Sequence, residues 1–212
     1  EELSSAFQAL ASIEEAQGIR TTIVTLEWIN DTYEGRDLME KVHNFLADAY
    51  NEWGIVYALL GFDANVTSRL DGVRYMYNPD PDSGYDANYI PGIGNDYTPF
   101  DDYFAGLDHN WDLDYDGQYG ESRYYSATGM DETDLLYDII VGRLAVYTAD
   151  EVNNYVAKLN SMYSTPRSNQ ILLVGAWLFP NRGVDGAWVC YHQEYEMNTF
   201  AAFTPHSQIY RL

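Results

Sequence analysis

Short, continuous apolar runs constrain the fold of this chain more than any other feature. A strand that is apolar on both faces is typical of a parallel sheet covered by helices. The strongest example is the run at residues 55–60, and it follows a helix predicted over residues 36–53 from apolar residues at three- and four-residue spacing. Gly54 is placed to end that helix. With a β-branched strand predicted at residues 21–26, these segments make one βαβ unit.

A second βαβ unit is predicted further along the chain. Its strands cover residues 138–146 and 170–175, and between them Thr148 and Glu151 form a capping box that opens a helix. The other predicted elements are a helix at residues 6–17, a helix from about residue 190 to 203 and a strand at residues 208–212. The sequence therefore predicts an α/β fold, with a parallel sheet flanked by helices.

The charge balance restricts the possible partners. The chain has 33 acidic residues against 11 lysines and arginines, which gives a net charge of −22 at pH 7. Nucleic-acid binding needs a basic surface that displaces counterions, and anionic membranes repel such a chain equally. No apolar run approaches the roughly 20 residues that a membrane span requires. We therefore expect no nucleic-acid partner and no membrane span, and the charge suits a cation-rich medium.

An acidic loop is the clearest candidate site. Asp112, Asp114 and Asp116 alternate and are followed by Gly117, the spacing that lets carboxylates surround one hard cation while glycine takes the sharp turn. Five acidic residues lie between positions 108 and 121 with no lysine or arginine among them, a repulsion that a bound cation would relieve. The expected calcium ligands are Asp112, Asp114, Asp116, the carbonyl of Gln118, and Glu121 or Asp108.

A simply solvated loop is the alternative interpretation. Acidic loops in acidic proteins often bind nothing, and the EF-hand pattern fails because its twelfth position is Arg123. The loop belongs to a connection over residues 61–134, where no strong period appears and Tyr, Asp, Asn, Gly and Pro dominate. We expect this connection to be irregular and held by calcium. Its aromatic residues could pack onto the sheet or line a groove for sugar or peptide.

Standard catalytic signals are absent from the sequence. There is no nucleophile elbow, no zinc-protease helix and no P-loop. Cys190 and His192 are two residues apart, and on a helix such side chains point to different sides. Cys190 alone allows no internal disulfide, so cysteine content leaves the compartment open. His43 is predicted to be structural, and His109 could orient the acidic loop.

Five segments in order resemble the gingipain-like cysteine peptidases. They are residues 25–29 (TLEWI), 33–37 (YEGRD), 53–63 (WGIVYALLGFD), 112–121 (DLDYDGQYGE) and 141–144 (VGRL). The resemblance covers nearly the whole chain. It implies a secreted or cell-surface endopeptidase with a cysteine nucleophile, a histidine base in a Gly-His-Gly turn and loops braced by calcium. It also implies two α/β subdomains, an amino-terminal one over residues 1–137 and the first part of a caspase-like one over residues 138–212.

The sequence departs from that family pattern in several places. Neither Gly-His-Gly nor the strand that ends in the catalytic cysteine occurs, so we expect the dyad beyond Leu212, in the carboxy-terminal remainder of the catalytic domain. The place of the acid that assists the histidine is taken by Ala176, Trp177 and Leu178. With Trp188, these three residues are the candidates for a substrate wall. The acid that selects arginine would fall near Cys190, so a preference for basic residues is not supported.

The resulting hypothesis is a fragment of a secreted gingipain-like endopeptidase with structural calcium, inactive by itself, whose partners are protein or peptide substrates. Because the chain starts without methionine, we expect a processed product or an excised piece of a longer protein. The alternative is a non-catalytic, calcium-dependent module that binds carbohydrate or a surface. A phosphate-binding domain is disfavoured, because the strand ends lack glycine-rich cradles.

Overall fold

The computed structural model describes residues 3–63, 72–77, 97–121, 131–132 and 136–165, together with the backbone of four short strands further on. The chain divides into two compact units, Glu1–Ala157 and Lys158–Leu212. The predicted subdomain boundary at residue 137 stays a prediction. In its described part the protein is a mixed α/β structure, as predicted, with helices and parallel strand pairs.

Four α-helices are present in the described residues. They are α1 (Ser4–Ala16), α2 (Leu26–Thr32), α3 (Leu38–Trp53) and α4 (Ala149–Ser164). The predicted helices at residues 6–17 and 36–53 and the helix after the capping box are confirmed. In that box the Glu151 amide donates to Thr148 Oγ1 at 3.3 Å, and the Thr148 amide donates to Glu151 Oε2 at 2.9 Å. The predicted helix at about residues 190–203 lies outside the described residues.

Helix α3 organises the core of the first unit. Asp37 caps its start by accepting a 2.9 Å hydrogen bond from the Glu40 amide, and Gly54 ends it in the left-handed conformation at φ 64°. Its buried face packs against the aromatic residues Tyr103, Phe104 and Trp111. The buried apolar residues of this face are Met39, Val42, Phe45, Leu46 and Ala49. The apolar spacing read from the sequence thus describes the real buried face.

The predicted strand at residues 21–26 is wrong. Residues 21–25 have no regular structure, and helix α2 begins at Leu26. Thr25 starts this helix, because its hydroxyl accepts from the Trp28 amide at 3.2 Å and its carbonyl accepts from the Ile29 amide at 3.1 Å. A local cap therefore prevails over the strand preference of the β-branched residues before it. The first predicted βαβ unit consequently lacks its first strand.

Two pairs of parallel strands confirm the parallel arrangement. Strand β1 (Tyr57–Leu60) pairs with β4 (Ile140–Arg143), in register from Tyr57 with Ile140 to Leu60 with Arg143. Strand β5 (Gln170–Leu173) pairs in the same way with β8 (Gln208–Arg211). The predicted strands at 55–60, 138–146, 170–175 and 208–212 are therefore present in shortened form.

Only one face of the β1–β4 pair is buried within the described part of the chain. Ala58, Leu60 and Val141 pack with the core around α3. On the other face Leu59 is 50% exposed and Ile140 is 60% exposed. The prediction that the run at residues 55–60 is buried on both faces is therefore wrong for these described residues.

Part of the connection at residues 61–134 is regular, contrary to prediction. Strands β2 (Arg74–Tyr77) and β3 (Tyr97–Phe100) pair antiparallel, and a 3-10 helix, Asp102–Phe104, follows. Two four-residue strands rich in tyrosine carry too little periodicity to be recognised in sequence. Two further short strands, β6 (Asn181–Arg182) and β7 (Trp188–Val189), also pair antiparallel. No helix in the described ranges is long and apolar enough to cross a membrane.

His43 is buried on α3, in agreement with its predicted structural role. Its Nε2 donates to the Gly106 carbonyl at 3.2 Å, and its ring lies 4.7 Å from the ring of Tyr103. Burial lowers the pKa of His43 below its ordinary value of 6.5. The folded protein therefore keeps this imidazole neutral at pH values where the unfolded chain protonates it.

This difference predicts a pH dependence of stability. The contribution of His43 is fully present above pH 6.5 and is lost as the pH falls toward its lowered pKa in the folded state. We expect His43→Gln, whose amide can still donate to Gly106, to lose less unfolding free energy than the wild type between pH 7.5 and about pH 5.5, as measured by urea denaturation. Asn51→Gln, which changes an exposed residue of the same helix without removing a titratable group, should keep the wild-type slope. Equal slopes for the wild type and His43→Gln would contradict this assignment.

Candidate functional site

The acidic loop is closed at its base by backbone hydrogen bonds. The Gly120 amide donates to the Trp111 carbonyl at 2.9 Å, and the Tyr77 amide donates to the Tyr119 carbonyl at 2.7 Å. The indole of Trp111 donates to the Gly106 carbonyl at 3.0 Å. The loop therefore begins and ends on buried aromatic residues beside strand β2.

Three of the predicted ligands come together in this loop. Oxygen atoms of Asp112, Asp114 and Asp116 all lie within 4.8 Å of one another. The Asp114 carboxylate accepts from the Asp116 amide at 3.3 Å, and the Asp116 carboxylate accepts from the Gln118 amide at 2.7 Å. Gly117 takes the left-handed conformation at φ 85°. The alternating spacing thus produces a tight, carboxylate-lined turn.

The other predicted ligands lie in the same loop but outside that group of three carboxylates. Asp108 has 66% of its side chain exposed and lies 3.2 Å from Nε2 of His109. Glu121 is buried, and its amide donates to Asp131 at 2.8 Å. The side-chain amide of Gln118 donates to Asp116. Their roles as ligands stay predictions.

Asp112 differs from its two exposed neighbours because it is fully buried and paired with a cation. Its side chain is 0% exposed, and Arg36 Nη1 lies 2.5 Å from its Oδ2. The Gly117 amide donates to the same carboxylate at 3.2 Å. Arg36 also contacts Glu40 through Nε at 3.0 Å. Burial alone would lower the pKa of Arg36, but hydrogen bonds to Glu40 and Asp112 raise it above its ordinary value.

A second arginine supports the same structure from strand β2. Arg74 is only 8% exposed and binds Asp37 through two hydrogen bonds of 2.8 and 2.9 Å. Its guanidinium lies 3.9 Å from the ring centroid of Tyr119, and that of Arg36 lies 5.5 Å from the same centroid. We call Arg36 and Arg74 the arginine pair. This pair connects the start of α3 with strand β2 and the acidic loop.

Two contributors to the site could not be recognised from sequence. Arg36 lies 76 residues before Asp112, so the charges within the loop do not include the cation that pairs with Asp112. Asp131 is buried and accepts from the amides of Leu113 at 2.7 Å and Glu121 at 2.8 Å. Burial raises the pKa of Asp131, and the nearby Asp112 charge adds to that effect. Arg36 lies in the segment 33–37 that carries the family resemblance, but nothing in that segment indicates a carboxylate partner, and no motif marks Asp131.

The predicted substrate wall is not described by the structure. Ala176, Trp177 and Leu178 lie outside the described residues, as do Cys190 and His192. Trp188 begins strand β7, but its side chain is also outside the description. These assignments stay predictions.

Comparison with known proteins gives one family. The model described as Peptidase family C25 matches residues 1–211. No curated protein and no solved structure shows a significant match to the chain. The family match spans both compact units and therefore includes the acidic loop and the arginine pair.

The arginine pair predicts a specific effect on stability. Arg74→Met should lower the unfolding free energy by about 2–3 kcal/mol, because it removes the charge facing Asp37 and the contact with Tyr119. The expected loss of unfolding free energy is smaller than for a fully buried ion pair, because 36% of the Asp37 side chain is exposed. Urea denaturation at pH 7 measures it, with the exposed Arg20→Met as a control expected to change stability by less than about 0.5 kcal/mol. A similar small change for Arg74→Met would contradict the proposed role.

Proposed function

The chain belongs to Peptidase family C25, the gingipain family, and from this premise we propose that it is part of a secreted cysteine endopeptidase that cleaves proteins. The family match over residues 1–211 is the observation that carries the proposal. It supports cysteine peptidase activity in general and protein substrates. We propose further that the protein is a secreted enzyme that cuts within protein chains, and that its catalytic domain has two subdomains, the second of them caspase-like.

The proposed chemistry is acyl transfer from a peptide bond to a thiolate. The sulfur attacks the peptide carbonyl, backbone N–H groups stabilise the oxyanion, and an imidazole donates a proton to the leaving amine. The 212 residues contain one cysteine, Cys190, and no Gly-His-Gly turn. We therefore assign the dyad to a downstream segment of the full-length protein. This chain would supply the strand pairs, the acidic loop and the substrate wall.

Calcium is the proposed structural metal of the acidic loop. The donors are carboxylate oxygens, which suit a hard cation, and three of them already lie close together. Asp112, Asp114 and Asp116 would hold the ion, with Gln118, Glu121 or Asp108 completing the shell. The ion would supply positive charge that holds the loop and takes no part in the peptide chemistry. The net charge of −22 agrees with a protein that works in a calcium-rich, extracellular medium.

The family match favours the peptidase over the alternative of a carbohydrate- or surface-binding module. A non-catalytic module would share the calcium loop, so calcium binding alone does not separate the two functions. Proteolysis by the full-length protein does separate them.

The proposed calcium site predicts a dissociation constant that can be measured. Calorimetric titration of the chelator-treated chain should give a dissociation constant of about 10⁻³ M or tighter, the range of extracellular calcium modules. The double variant Asp114→Asn/Asp116→Asn should bind at least about tenfold more weakly, because it removes two carboxylate charges. Asp150→Asn removes an exposed carboxylate at the start of α4 and should bind as the wild type does. No heat of binding at millimolar calcium would remove the metal from the proposal.

The peptidase assignment predicts thiol-dependent cleavage. The full-length protein should cleave casein in the presence of a reductant, and alkylation should abolish the activity because a thiolate is the nucleophile. Cys190→Ala in the same full-length protein should retain activity, and the 212-residue chain alone should show none. Loss of activity in Cys190→Ala, with normal folding, would place the nucleophile in this chain and overturn the assignment. Full-length protein that cleaves nothing would favour the binding module.

A further inference from the structure

We infer that Arg36 is a built-in counterion of the acidic loop that competes with calcium for Asp112. The inference rests on the calcium site proposed above and concerns how that site is regulated. When no metal is bound, Arg36 stabilises the loop by pairing with Asp112. The same residue then limits how tightly the loop binds the metal.

The need for a counterion follows from the burial of Asp112. Its side chain is 0% exposed, and a buried carboxylate without a positive partner is strongly unfavourable. Arg36 meets this need with a 2.5 Å contact to Oδ2. The loop itself contains no lysine or arginine from position 108 to 121. In the described structure the positive charge facing this carboxylate therefore comes from the start of α3.

Because of this contact, a metal ion in the loop would compete with Arg36 for the Asp112 carboxylate. A divalent cation held by Asp112, Asp114 and Asp116 would share the Asp112 carboxylate with the guanidinium. The guanidinium of Arg36 carries one positive charge and the metal ion two, and these charges repel each other at a separation of about 5 Å. Removing the guanidinium charge should therefore tighten binding of the divalent ion by about tenfold or more, even at the dielectric constant of water. An arginine that only oriented Asp112 would have the opposite effect, because its loss would weaken binding. The two roles therefore differ in the sign of the change.

Arg36 can leave the Asp112 carboxylate and still keep its other contacts. Its Nε binds Glu40 at 3.0 Å, and its guanidinium lies over the rings of Tyr115 and Tyr119 at 5.1 and 5.5 Å. Its side chain is 37% exposed, so water can solvate the nitrogen that leaves Asp112. The guanidinium can thus release the carboxylate while it remains bound to Glu40. Exchange between arginine and metal requires only a side-chain displacement at the start of α3.

The test compares the wild type with Arg36→Met, a variant that preserves the length of the side chain and removes its charge. In chelator, the melting temperature of Arg36→Met should be lower than that of the wild type because Asp112 loses its partner. In calorimetric titration, its calcium affinity should be about tenfold or more tighter. Arg36→Lys keeps the charge and should stay near the wild-type affinity.

Arg143→Met is the matched control. Arg143 forms a comparable, partly buried ion pair with Asp101 at 2.6 Å, outside the acidic loop. Its replacement should lower stability without changing the calcium affinity. A second measurement needs no folded variant: the side-chain Nε resonance of Arg36 in the ¹⁵N-labelled wild type should shift with calcium and saturate at the calorimetric midpoint.

Each outcome decides the inference. Tighter binding by Arg36→Met than by the wild type supports competition, and so does a saturating shift of the Arg36 resonance if the variant does not fold. Unchanged or weaker binding by a folded Arg36→Met, or an Arg36 resonance that calcium leaves in place, overturns the competition while the calcium site stands. Absence of calcium binding in the wild type overturns the calcium site and the inference together.

Discussion

The ion pair between Arg36 and the buried Asp112 is the interaction on which the described structure depends most. The chain has three times as many acidic as basic residues, so most of its carboxylates must remain in water. Asp112 is the most deeply buried of the described carboxylates, and Arg36 pairs with it. This contact, with those of Arg36 to the rings of Tyr115 and Tyr119, ties the acidic loop to the start of helix α3.

The start of α3 is where several separate segments meet. Asp37 caps the helix and also binds Arg74 of strand β2, while Glu40 holds Arg36 in position for Asp112. Below these polar contacts, Tyr103, Trp111 and Tyr119 pack into one aromatic core with the buried face of the helix. Charged and apolar contacts therefore specify the same arrangement of helix α3, strand β2 and the acidic loop. Agreement of this kind favours a single, well-ordered structure over alternatives in which the loop lies elsewhere.

Local signals determined how much the sequence could predict. The helix α3 with its glycine stop, the capping box of α4 and the apolar runs that form the strands were predictable because each signal lies in residues close together in the chain. The parallel pairing of β1 with β4 joins distant residues and was inferred only from the apolar character of the runs. The strand predicted at residues 21–26 failed because Thr25 begins a helix instead. The spacing of Asp112, Asp114 and Asp116 predicted their proximity, but Arg36 and Asp131 reach the site from distant positions. Contacts of that kind have no signature in a single sequence.

The backbone of Tyr115 shows how the loop obtains its shape. It is a non-glycine residue with positive φ, at 62°, a conformation that disfavours large side chains. Its ring lies over the guanidinium of Arg36 and is otherwise 70% exposed to solvent. The strained turn is held by hydrogen bonds within the loop, from the Gly117 amide to Asp112 and from the Asp116 amide to Asp114, together with the contact to Arg36 just before α3. Fraying of the first turn of α3 would therefore release the turn as well, so that helix end and loop form one cooperative unit of local unfolding.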